Sequence, residues 1–501
     1  GTNIGETSDE REVNGKININ NKIISIKNLE YIKYISSQNN KIYPIVFTSM
    51  NGRLHLNDDK MVIPEDFEIK TYKNLSAKVL NWFLPNQLLN QGTLSFDLKY
   101  KFDENDQRAK LLGSIECRSI NIPLFDTVVK HIKINADDKD INVNVFGFIT
   151  DGRIVIDSKL ENNIAQMPKM KSINIFAEEI DNNKLLEEFY KTRQAITTEA
   201  KQNNYTLPAE LEIENGYLQI DKMTIKSMTA NNFTANFSID KNGIFYADNL
   251  NVEVGQGNIQ GNFSYDLNNT KAEGNFELHN VDSDYIAETL FDGENQIYGN
   301  ANGKLILYTQ GLTNEEILNN LSGFVYFDIS DGRMPKLGSL EYLLRASNIV
   351  KSGLTGLTLN SILEILNLVK TGYFSNINGS CIIENGIAKD IEIFSTGENL
   401  SLYINGSYDI AHTHADMEIL GKLSKKISTV FGAIGNTSLN TFFKLIPGIS
   451  LLDFGRKDFI ENVEKIPSFT NGDYDSRTFQ AIINGNINNK TGYVQSFKWV
   501  K

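Results

Sequence analysis

Apolar and polar residues alternate one by one through much of the chain. The clearest runs are Ile17 to Ile19, Ile141 to Val145, Leu211 to Ile213, Phe233 to Ile239, Leu250 to Val254, Val325 to Ile329 and Leu402 to Ile404. A period of two sends successive side chains to opposite faces, so each run predicts a strand with one apolar and one polar face. Between the runs an Asn-Gly or Asp-Gly pair recurs, at Asn51-Gly52, Asp151-Gly152, Asn215-Gly216, Asn242-Gly243, Asn302-Gly303, Asp331-Gly332, Asn385-Gly386, Asn405-Gly406 and Asn484-Gly485. Such pairs tolerate positive φ and predict tight hairpin turns. Their spacing is irregular, which predicts a long antiparallel meander rather than a strict repeat.

Helical patterns interrupt it rarely. Residues 74–90 are apolar and broken at Pro85; 181–204 form a charged amphipathic stretch; 284–291 and 314–321 are short. Segments 337–350 and 360–369 are rich in Leu and Ile, and 437–446 and 457–463 follow a Gly-containing apolar run. These interruptions suggest a β-segment over 1–180, an amphipathic helix and linker over 181–206, a second β-segment over 207–425 with a helical insert at 336–371, and an apolar helical cap with closing strands over 426–501.

So few helices cannot cover the apolar face of so many strands. The sheet must close into barrels, stack as a sandwich, or curl into a trough that holds something else apolar. The trough predicts a mostly β protein: an elongated, curled antiparallel sheet with a few short amphipathic helices. Roughly 25 strands at ~4.8 Å would run ~120 Å along the hydrogen-bonding direction, which suits a conduit better than a pocket. Each methylene withdrawn from water gains ~0.8 kcal/mol, so an apolar trough suits acyl chains. Its candidate lining is Phe233, Phe237 and Ile239; Leu250, Val252 and Val254; Phe276 and Leu278; Leu305 and Leu307; and Val325, Phe327 and Ile329. Each of these also fits a sealed core.

Composition narrows the function. Lys and Arg total 49 against 62 Asp and Glu, a net charge of −13, which argues against a nucleic-acid binder, since binding phosphates needs a basic face. Two cysteines, Cys117 and Cys381, exclude a disulfide scaffold and a paired-Cys zinc site, and both lie in strand-like stretches as core candidates. The chain opens Gly1-Thr2 with no apolar leader, and reads as a fragment or processed form with an anchor expected upstream.

Residues 281–337 carry a recognisable order. A short helix opens at Val281 to Tyr285, followed by the strand Gly299 to Leu307, the helix Thr313 to Leu321 and the strand Ser322 to Met334. Phe374 to Ala388, Leu402 to Ile410 and Phe479 to Ile487 continue the pattern. This resembles the C-terminal region of the AsmA-like family of envelope proteins, which includes TamB and YhdP, best over 281–500. The resemblance implies a periplasmic protein anchored to the inner membrane through a segment missing from this chain. It also implies a long β-groove of the bridge-like kind that carries phospholipid to the outer membrane, and contact with that membrane or a protein in it.

Catalytic and metal chemistry is sparse. His412, His414 and Asp416 have ligand-like spacing but fall where a polar hairpin is expected, and Asp137, Asp138 and Asp140 lack the residues that complete a calcium loop. Gly255, Gly257 and Gly261 are spaced wrongly for a dinucleotide loop. No hydrolase, zinc-protease or phosphate-loop motif is present, so neither an enzyme nor a cofactor is expected. Phe431, Phe442, Phe443, Leu445, Ile446, Leu451 and Leu452 are candidates for a groove-end cap or for membrane or partner contact. Two main readings stand: a lipid conduit, and a non-enzymatic scaffold for outer-membrane assembly with a dry, sealed core. A carbohydrate-active or adhesive protein fits less well, because dense Trp and paired acids are lacking.

Overall fold

The computed structural model describes residues 11–36, 42–56, 62–78, 91–103, 108–122, 127–149, 152–163, 169–185, 212–225, 228–286, 297–311, 313–333, 373–398, 400–424, 461–472, 475–486 and 494–500. They are nearly all strand, in two compact units: residues 1–225 with 231–247, and 226–230 with 248–501.

In the first unit β1 (Arg11–Asn20), β2 (Ile23–Ser36), β3 (Ile42–Leu56), β4 (Val62–Thr71), β6 (Thr93–Asp103), β7 (Arg108–Ile122), β8 (Thr127–Ala136), β9 (Asp140–Ile149), β10 (Gly152–Glu161) and β11 (Met170–Asp181) pair antiparallel in that order. The two-residue β5 (Leu75–Ser76) lies beside β6. β12 (Ile213–Ile225) departs from the expected meander, since it pairs parallel to β11. A parallel neighbour requires a crossover connection, and the chain after β11 begins helically at 182–185.

The boundary between the units falls within β13 (Met228–Ile239) and β14 (Ile244–Val254). In the second unit β15 (Gly257–Asp266), β16 (Lys271–Asp282), β17 (Tyr298–Gln310), β18 (Ser322–Arg333), β19 (Tyr373–Glu384), β20 (Ile387–Gly397), β21 (Leu400–Asp409), β22 (His414–Ser424), β23 (Ser476–Asn486) and β24 (Val494–Val500) form an antiparallel meander. Neither set of strands closes into a barrel.

Helix is scarce among the described residues. α1 (Asn314–Asn319) starts where Thr313 accepts from the Glu316 amide at 3.2 Å and Glu316 accepts from the Thr313 amide in return. Short helical turns occupy 283–286 and 463–465, and the predicted helices at 337–350, 360–369 and 437–446 lie outside the described residues. No described helix is long and apolar enough to cross a membrane.

Asn242-Gly243 and Asn385-Gly386 form turns as expected. Asn51-Gly52, Asn215-Gly216, Asn302-Gly303, Asp331-Gly332, Asn405-Gly406 and Asn484-Gly485 instead lie inside strands. Two of them serve a bulge on the next strand. Asn28 and Asn280 take left-handed conformations, φ 47° and 53°, where the register slips, and their amides donate to Asn51 Oδ1 at 2.7 Å and Asn302 Oδ1 at 3.0 Å. The asparagine satisfies an amide that the bulge has taken out of the ladder. The adjoining Gly52 leaves room for the β4 backbone, which a Cβ there would meet at 2.7 Å from Phe67 Cα.

Candidate functional site

Directly opposed residues share a sheet face, so register builds rows that the linear sequence does not show. In the second unit one row runs Ile259, Leu278, Gly303, Phe327, Gly379, Ile393, Ile404, Ile419 and Ala481, across β15 to β23. Beside it lie Gly261, Phe276, Leu305, Val325 and Cys381. Leu307 faces Gly323, and Ile329 faces Ala301 and Ile377. Seven of the lining candidates, Phe276, Leu278, Leu305, Leu307, Val325, Phe327 and Ile329, thus fall on one face. Ile377, Ile393, Ile404 and Ile419 belong to the same face but were missed, because only register identifies them.

The first unit has its own row: Leu94, Cys117, Ile132, Val145, Ile156, Ile175 and Leu218 across β6 to β12. Its centre packs Leu94, Cys117, Ile120 and Val129 against Ala77. Phe237 lies in this unit against Gly216, and its ring centroid is 6.0 Å from that of Phe245.

Burial separates open face from sealed core. Phe233, Phe237, Ile239, Leu250, Val252 and all seven candidates on the second-unit face are half-buried. Val254 differs, being only 2% exposed. Towards β22 and β23 the row closes, with Ile419 and Ala481 buried. The opposite face is also covered there, since Ile466 and Val463 pack on Tyr403, Leu420 and Phe394. Lys465 fastens that cover: its Nζ is 2.8 Å from Glu392 and donates to Tyr403 Oη at 3.1 Å. Lys465 and then Tyr403 hold the Glu392 carboxyl below its ordinary range, while burial foremost pushes the Tyr403 hydroxyl up.

Large residues sit opposite glycines along the half-buried rows. Phe276 lies over Gly261 and Gly274, where a Cβ would come within 2.7 and 2.5 Å of its ring, and Phe327 lies over Gly379, at 2.9 Å. A ring laid on a glycine covers the backbone beneath it. Register slips at Asn280, Asp331 and Asp390, all with positive φ, break the flat pleat from strand to strand.

The sparse polar clusters are structural. Asp137 Oδ1 accepts the amides of Lys139 and Asp140, both at 2.9 Å, which keeps its carboxyl below the ordinary range. Asp140 is held down by Lys171 at 2.6 Å and Lys159 at 2.9 Å. His412 caps its own hairpin through Asp409, 3.0 Å away, while His414 opens β22. Asn162, buried, joins three segments by donating to Leu111 O and Asp137 O and accepting from the Leu111 amide. Among the described residues no group of three His, Cys, Asp or Glu is placed to hold a metal. Burial raises both thiols, Cys117 in the core and Cys381 on the half-buried row. Phe431, Phe442, Phe443, Leu445, Ile446, Leu451 and Leu452 lie outside the described residues.

The chain matches no family model, no curated protein and no solved structure.

Proposed function

We propose that this protein is a non-enzymatic, bridge-like lipid carrier of the periplasm, of the AsmA-like kind, anchored to the inner membrane. Phospholipid acyl chains rest on the apolar face while headgroups stay in water, and the lipid passes between inner and outer membranes. The observation that carries this reading is the row from Ile259 to Ile404, apolar or glycine at every strand and nowhere covered to full burial except at Gly379. A methylene resting there is spared ~0.8 kcal/mol of exposure, summed along the chain. The face lowers a barrier and gives no direction; net flow needs a gradient or an energised partner.

The buried stretch at Tyr403, Leu420 and Ile466 favours a second reading, a dry scaffold for outer-membrane assembly. Native mass spectrometry on the purified chain separates the two. Co-purifying phospholipid, removable by organic extraction and restored on incubation with vesicles, is the conduit's result. Lipid-free protein that takes up neither phospholipid nor an apolar dye is the scaffold's.

A further inference from the structure

An asparagine followed by glycine is the dipeptide most open to losing its side-chain amide, because glycine puts no side chain in the way of its own backbone nitrogen. Besides the seven Asn-Gly pairs named above, the chain has Asn14-Gly15, Asn378-Gly379 and Asn471-Gly472. The ten are alike in sequence and unlike in setting. Those at Asn14, Asn51, Asn215, Asn302, Asn378, Asn405 and Asn484 lie within strands, where ladder bonds fix the backbone. Most of their carboxamides are engaged as well. Asn51 and Asn302 accept the bulge amides, while Asn215, Asn378 and Asn405 donate to Lys171 O, Asn376 Oδ1 and Glu418 Oε2. Asn14-Gly15 is exposed on β1, yet it abuts β2 so closely that a Cβ on residue 15 would meet Leu29 Cα at 2.6 Å.

Two pairs occupy hairpin turns and are held there. Asn242 Nδ2 donates to Asp240 Oδ2 at 3.1 Å, and Asp240 Oδ1 accepts the amides of Asn242 and Ile244, both at 2.9 Å. Gly386 is buried, and its amide donates to Leu321 O at 2.8 Å. Asn471-Gly472 stands apart. Both residues are exposed, and the Asn471 carboxamide meets no partner among the described residues. Gly472 has φ 92°, with nothing within 4 Å of where a Cβ would lie. Its amide makes one turn bond, to Phe469 O at 3.0 Å. The residues just before the pair are anchored: Phe469 is buried, and the Thr470 amide donates to Gly397 O at 3.1 Å.

We propose that Asn471 is a site of spontaneous deamidation, selected by the fold from among these pairs. The Gly472 nitrogen gives its proton to hydroxide and attacks Asn471 Cγ. The N–Cγ bond forms, the Cγ–Nδ2 bond breaks and ammonia leaves, which closes a succinimide ring. Water then opens one of the two imide carbonyls and gives aspartate or isoaspartate. The net change is water taken up and ammonia released, with no oxidant or reductant. In a strand the same attack needs the ladder to open first, since the side chain must swing onto a nitrogen whose position the sheet has fixed. At Asn471 it needs only the loss of one exposed turn bond. The product adds a negative charge, and in isoaspartate an extra backbone carbon, beside Thr470, whose Oγ1 donates to Ser375 Oγ at 3.3 Å.

The test is incubation of the full chain in mildly alkaline buffer, followed by peptide mass mapping with chromatography that separates aspartate from isoaspartate. Asn471 converts first, and every strand pair converts at least about tenfold more slowly, because a ladder residue reacts only on local opening. In urea, with the sheet unfolded, all the pairs convert at similar rates. Asn471→Gln removes the early product, since the longer side chain closes its ring slowly, and an unchanged melting temperature shows that the fold is kept. Three results overturn the proposal: a native chain in which Asn471 lasts as long as the strand pairs, one in which Asn242 or Asn385 converts first, or the same preference for Asn471 in urea. None of these outcomes bears on lipid carriage.

Discussion

The ring of Phe327 lies on Gly379 of the neighbouring strand, so close that a Cβ on residue 379 would meet Phe327 Cζ, Glu392 O and Ile393 Cγ1, each at 2.9 Å. Gly379→Val therefore forces the ring up into the space above the sheet and strains β19 against β20. The expected cost is ~1–3 kcal/mol, read as a lower urea midpoint at unchanged slope. Phospholipid transfer between vesicles should fall further than stability does, because the raised ring obstructs the row.

A carboxylate separates open face from core. Val252→Asp and Phe327→Asp place the charge on half-buried positions and should preserve the circular dichroism spectrum while abolishing transfer. Leu420→Asp places it at a site with no exposure, where an unpaired charge costs several kcal/mol and should unfold the second unit. Equal unfolding by all three would mean the face is sealed throughout.

Cys381 is a built-in reporter of the row. It opposes Val325 on the half-buried face, whereas Cys117 is buried in the first-unit core. Extracted protein should be labelled by an apolar maleimide at Cys381 and not at Cys117, slowly at neutral pH because burial raises both thiols. Added phospholipid should protect Cys381. Peptide mass mapping reads both sites.

The Lys465–Glu392 contact gives the cover over Tyr403 a pH dependence of definite sign. The Glu392 carboxyl is held below its ordinary value of 4.5, so the contact's stabilisation is full above that value. It is lost as pH falls through the lower, folded value. Thermal midpoints of the native chain and Glu392→Gln should differ slightly at neutral pH and converge in acid. A gap that widens on acidification contradicts the assignment. The effect is small because both partners are largely solvated.

The strands were legible in the sequence because alternation is local: Phe233 to Ile239 and Val325 to Ile329 fold as their periodicity predicts. The Asn-Gly pairs were legible as backbone requirements and not as positions. Asn302-Gly303 reads like a turn, yet it serves a bulge at Asn280 on another strand, a relation no local window contains. The part of the apolar face formed by Ile377, Ile393, Ile404 and Ile419 was hidden for the same reason, since register assigns their face. The parallel pairing of β11 with β12 is a relation between distant segments, which periodicity does not encode.

Neighbouring residues on one strand test the central claim most directly. Tyr326 and Phe327 project to opposite faces of β18, and only Phe327 belongs to the apolar row. A photo-crosslinking amino acid is placed at each position in turn, and the chain is irradiated in cells. The account predicts a phospholipid adduct at 327 and none at 326; no adduct at 327, or equal adducts at both, contradicts it.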